Sequence, residues 1–186
     1  MMPSRARGFT LIEILVAVVI IGIVMSVAVL SLSLVGDDRE IRQEARRLIS
    51  LLEVAQNDAM LQGREFGIEF TINAYRFVEY DVELNQWADP PFDDSLRLWQ
   101  LPEDYEISLF IEDKRILLDS EPKVIEYDED PGLQREQYAP HMLIFSSGDA
   151  TPFELHLTRR LDDMRVAITG DLLGNLEFVP DDEIDR

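Results

Sequence analysis

The chain contains no cysteine, only two histidines, and no proline between Pro3 and Pro90. Without cysteine there are neither disulfides nor thiol chemistry, so packing, hydrogen bonds and charge must hold the fold. His141 and His156 are the only imidazoles, and no nucleophile elbow surrounds Ser146 or Ser147, because the glycine such a turn needs before the serine is missing. These serines read as turn residues. In "FELHLT" His156 alternates with Phe153, Leu155 and Leu157, which puts it on the opposite, exposed face of a strand. Basic residues are also scarce, at 17 against 37 acids for a net charge of −20. Counterion release favours nucleic acid only at a basic surface, so the balance argues against a DNA or RNA partner.

One long apolar run is present. From Ile14 to Val35 no residue is charged, and 22 residues at 1.5 Å each make roughly 33 Å of helix, enough to cross a bilayer core. Arg5 and Arg7 lie before it and strongly acidic sequence follows it. The positive-inside rule then keeps the first residues cytoplasmic and exports the rest. Setting aside Arg5, Arg7 and Glu13 leaves 15 basic against 36 acidic residues, a net of −21 for the exported part. A cleaved secretory signal has a shorter apolar stretch, about 7 to 15 residues, and a small-residue cleavage site. Here the charged Asp37-Asp38-Arg39-Glu40 follows directly, so the run reads as a retained anchor.

Glu13 is the anomaly. An acid at the centre of a membrane helix costs about 2.5 to 3.5 kcal/mol on insertion scales and is tolerated where a partner meets it. Its setting, Gly8-Phe9-Thr10-Leu11-Ile12-Glu13 after a basic leader, resembles the class III signal of type IV pilins and pseudopilins. The resemblance implies removal of leader residues 1–8 by a prepilin peptidase between Gly8 and Phe9, and N-methylation of Phe9. It further implies retention of residues 9–35 as a transmembrane and assembly helix, with residues 36–186 as a periplasmic, pilin-like globular domain. Glu13 becomes the fifth mature residue and serves subunit assembly, meeting the Phe amine of a neighbouring subunit. Cleavage frees that amine about 6 Å of helix rise from Glu13, where charges interact strongly and a lone buried ion is costly. Many major pilins interrupt this segment with proline. This chain does not, so a continuous helix is expected with Gly22 as its weak point before Gly36.

Beyond Asp37, Ile41, Ala45, Leu48, Leu52, Ala55 and Ala59 recur at steps of four and three, the period of an amphipathic helix, and Gly63 is placed to end it. Phe9 to Gln62 would then form about 80 Å of helix with a bend near Gly36. Phe66, Ile68, Phe70 and Ile72 alternate as in a strand, with a hairpin turn at Asn73. Further strands are expected at 105–111, 123–127, 141–146, 152–158, 164–169 and 175–179, and residues 83–104 read as an irregular connection. The fold class is α+β, a long N-terminal helix packed on a C-terminal antiparallel sheet.

Later in the chain stand a Trp-bearing loop running into Leu101-Pro102 and "FSSGDATPFELHL" at 145–157. Both resemble the H-type minor pseudopilins of type II secretion, the GspH family. That likeness implies a structural component of a periplasmic pseudopilus, anchored once in the bacterial inner membrane, which catalyses nothing and carries no cofactor. Its implied partners are the major pseudopilin, other minor pseudopilins, an inner-membrane assembly platform driven by a cytoplasmic ATPase, the secretin and the prepilin peptidase. A minor pilin of a type IV pilus, for assembly priming or DNA uptake, is the alternative; a membrane-anchored periplasmic enzyme is the third reading. Asp93-Asp94 and Asp128-Glu129-Asp130 could offer oxygens to Ca²⁺, but the ligand spacing of an EF-hand is absent, so they read as solvated loops and no metal site is assigned.

Overall fold

The computed structural model describes residues 11–90, 94–122 and 138–184, with side chains outside 26–38, 94 and 182. The leader with Gly8 and Phe9, the strand expected at 123–127, Asp93 and the acidic run 128–130 lie outside these residues. The chain divides into two compact units, Met1–Glu40 and Ile41–Arg186.

In the first unit the helix α1, Leu11–Gln62, begins with Glu13 in its opening turn. Every side chain from Leu11 to Met25 is exposed. Among the described residues no helix is long and apolar enough to cross a membrane.

In the second unit α1 contributes one face of a core. All six residues of the expected stripe are buried, with Ile41, Ala55 and Ala59 fully enclosed. The helix ends at Gly63, whose φ of +67° is the left-handed conformation that glycine adopts without strain. Arg64 N–H donates back to the Ala59 carbonyl at 3.1 Å, closing a Schellman motif.

Among the described residues ten strands follow, in two sheets. The first contains β1 (Phe66–Phe70), β2 (Ala74–Asp81), β3 (Gln86–Ala88), β4 (Trp99–Gln100) and β7 (Met142–Ile144). Its order is β3-β2-β1-β7, with β4 also on β2. The second runs β10-β9-β8-β5-β6, using β5 (Tyr105–Ile111), β6 (Lys114–Ile116), β8 (Phe153–Arg159), β9 (Met164–Gly170) and β10 (Leu176–Pro180). All strand pairings are antiparallel. The hairpin at Asn73 is closed by Thr71 N–H donating to Ala74 O at 2.8 Å. Next to it the sheets are joined, because the Ile72 carbonyl accepts from Ile107 N–H at 2.6 Å.

Three expectations are refined. The single sheet is two, because β5 pairs with the distant β8 and leaves β1 and β2 to a separate ladder. The stretch 83–104 supplies β3 and β4, both completing β2, along with a short 3₁₀ turn at Asp94–Leu96. Strand β1 is buried on both faces: its outward side lies under Trp87 and Pro140, and a Cβ at Gly67 would come within 2.5 Å of the Pro140 ring.

Candidate assembly site

Of the three residues expected to carry processing and assembly, the structure describes Glu13, exposed in the first turn of α1. An acid there is favoured by the partial positive charge of a helix N-terminus. Gly8 and Phe9 fall outside the described residues.

The globular unit adds a group of side chains that the sequence reading did not single out. On one flank of α1, Trp99 of β4 donates from Nε1 to Glu44 Oε2 at 3.1 Å. The Arg47 guanidinium lies 3.3 Å from the centre of the same indole ring. On the other flank the Arg42 guanidinium stands 5.9 Å above the Phe178 ring of β10. Each sheet therefore sends one aromatic ring to one side of the helix, where it receives an arginine. Under Trp99, the Tyr75 hydroxyl is buried without a well-formed hydrogen bond among the described residues. Burial pushes its pKa up to about 12, with Arg47 opposing the rise and Glu44 adding to it. The sequence signal was available in Arg42, Arg46 and Arg47 within two helix turns; the rings that meet Arg47 and Arg42 come from strands 52 and 136 residues further along the chain.

A second polar cluster lies beneath the outer cover of β1. Glu69 and Arg76, opposite each other on β1 and β2, form a buried ion pair at 2.6 Å. Tyr138 covers the Arg76 guanidinium at 4.3 Å and donates its hydroxyl to Asp89 at 3.0 Å. A buried pair held this way fixes register while leaving no charge bare.

The segment 145–157 acquires a physical account. Phe145 and Asp149 close a turn around Gly148, whose φ is +94°. From the helix, Gln56 Nε2 donates to the Gly148 carbonyl at 3.2 Å. Phe153 then opens β8, and its ring occupies the space where Gly170 of β9 has no side chain. Glycine thus serves a turn docked on the helix, and phenylalanine the packing of the strand that follows. Ser147 belongs to that turn and donates to Asp149 Oδ2 at 2.9 Å.

His156 departs from expectation. It is half-buried, pairs with Glu154 at 2.7 Å, and packs against Phe110 with ring centres 5.0 Å apart, because β5 lies beside it. His141 uses Nδ1 to accept from Phe70 N–H at 3.1 Å. Among the described residues no group of three or more histidines and carboxylates is placed to hold a metal ion.

Residues 3–29 match the prokaryotic N-terminal methylation motif, and residues 44–174 match the family described as type II transport protein GspH. The chain is 36% identical to type II secretion system protein H of Pseudomonas aeruginosa over 156 residues, 83% of this chain and 84% of that one. It is 28% identical to the protein of the same name from Aeromonas hydrophila over 185 residues, 98% of both chains. Among solved structures it resembles the minor pseudopilin EpsH of Vibrio cholerae, with a TM-score of 0.59 and 19% identity over 77% of this chain and 96% of that one. It also resembles the solution structure of Escherichia coli GspH, with a TM-score of 0.54 and 19% identity over 80% and 94% of the two chains. At these identities the structural likeness speaks for the fold alone.

Proposed function

The chain belongs to the GspH family of type II transport proteins, and from that premise we propose how it works. It is a minor pseudopilin, a structural and assembly component of a type II protein secretion system. The observation that carries this reading is the family match over residues 44–174, which extends through the globular unit, well past the N-terminal motif that pilins and pseudopilins share. The alternative of a type IV pilus subunit yields to it for that reason.

In our reading, prepilin peptidase removes residues 1–8 and Phe9 becomes the methylated N-terminus. The apolar run that follows holds the subunit in the inner membrane with its globular domain in the periplasm. Supporting this are the basic residues before the run, its 22 uncharged positions and the acidic sequence after it. Glu13 acts during incorporation: its carboxylate pairs with the freed amine of a neighbouring Phe, so a subunit out of register leaves a charge exposed to lipid. The subunit joins the major pseudopilin and the other minor pseudopilins, and works with the assembly platform and the secretin. It binds no cofactor and performs no catalysis.

The test is deletion and complementation in the cell of origin. Loss of the chain should halt export and leave folded exoproteins in the periplasm, and the full chain should restore export. Undiminished export without it would overturn the reading.

A further inference from the structure

Several cations beyond the helix are engaged in ion pairs. Arg64 pairs with Glu79, Arg76 with Glu69, Arg159 with Asp162 and Arg165 with Asp181. On α1 the pattern changes: among the described residues Arg42, Arg46 and Arg47 form no ion pair, although residues 48–186 hold 32 acids against 11 bases. Arg42 and Arg47 are also positioned, one over Phe178 and the other over Trp99. Arg46 lies between them in sequence and is exposed. A ring beneath a guanidinium restrains it without supplying a carboxylate, so less rotamer freedom is lost when one arrives.

We propose that Arg42, Arg46 and Arg47 form a carboxylate-receiving face through which this subunit docks on the acidic surface of an adjoining pseudopilin. The proposal rests on the secretion reading above and adds the contact surface and its chemistry. Charge complementarity selects the occupant: a domain of this chain's own kind presents roughly three acids for each base outside this helix turn. Planar guanidinium groups suit paired carboxylate oxygens.

The test uses the full chain in cells carrying the secretion system, with benzoylphenylalanine placed at exposed Gln43 and, separately, at Val16 in the apolar run. The Gln43 probe should form an adduct with another pseudopilin, identified by antibody. Arg46→Glu should cut that yield roughly tenfold while leader removal, chain level and the Val16 adduct stay unchanged. Arg46→Lys should retain most of it. Arg46 has no described side-chain partner, so its reversal should leave the melting temperature in place. An unchanged Gln43 yield in Arg46→Glu overturns the proposal, and so does a Gln43 adduct of lipid mass in place of a subunit. A chain that forms the Val16 adduct but none at Gln43 overturns this face alone. A chain that forms neither overturns the secretion reading with it.

Discussion

Gln56 on the helix and Gly148 in the turn before β8 meet across 92 residues of chain, amide nitrogen to carbonyl oxygen at 3.2 Å. A second turn arrives at the same place, since a Cβ on Gly174 would collide with the Gln56 side-chain amide. Gly174 also has a φ of +77°. Gly174→Ala should therefore combine backbone strain of about 1 kcal/mol or more with a steric conflict. Urea denaturation should show a lowered midpoint, and Gln56→Ala, which alone loses the bond to Gly148, should cost less when added to Gly174→Ala than in the parent because it removes the side-chain conflict. A single variant as stable as the parent would refute this account.

The Glu69–Arg76 pair offers a sharper contrast. Both side chains are nearly inaccessible, at 7% and 6% exposure, so Arg76→Met alone should cost about 3 to 5 kcal/mol by leaving Glu69 charged and unmatched. Joining it to Glu69→Leu should return most of that loss. Equal destabilisation by the single and double variants would show that the pair's charge is not what matters.

Processing and incorporation should separate genetically. Gly8→Asp is expected to block leader removal, whereas Glu13→Ala leaves removal intact and reduces crosslinking to the major subunit. Immunoblotting measures the first and crosslink yield the second. Mass spectrometry of mature material should find Phe9, methylated, at its start. Normal crosslinking by Glu13→Ala would remove the pairing role assigned to this acid.

Acid stability should depend on Asp162. Its carboxyl is held below the ordinary aspartate value of 3.8, first by its hydrogen bond from Arg159, then by the Met164 backbone N–H and the Arg159 charge. A depressed acid adds stability that is present above 3.8 and fades as pH falls through the lower folded-state value. Asp162→Asn should thus melt below the parent at neutral pH, with the gap closing in strong acid. The side chain is well exposed, so the effect should be modest and salt-sensitive. A gap that persists into strong acid would assign it to packing.

Much of the globular unit was legible because its signals are local. The helix stripe from Ile41 to Ala59 follows from the 3.6-residue period, and Gly63 as a stop follows from glycine's access to positive φ. The hairpin at Asn73 was legible from strand alternation on either side. What could not be read depends on long-range pairing. The division into two sheets follows from β5 choosing β8, more than forty residues on. Glu69 and Arg76 look like solvent-facing charges until Tyr138 and Pro140 cover that side of the sheet. His156 was expected in solvent for the same reason, since Phe110 reaches it only through strand pairing. Within the site, Glu13 stood out because its chemistry conflicts with its neighbours in sequence. The arginine and ring pairs on the helix flanks did not, since neither ring is near its arginine along the chain.

The helix that carries Glu13 in its first turn is the same element whose last turns, through Ala55 and Ala59, form the centre of the globular core. Within the second unit the helix from Ile41 onward is wedged between strands of both sheets by its buried apolar side chains. A pull on that part of the helix would therefore have to break the whole unit at once, since no strand could be peeled away before the helix gave.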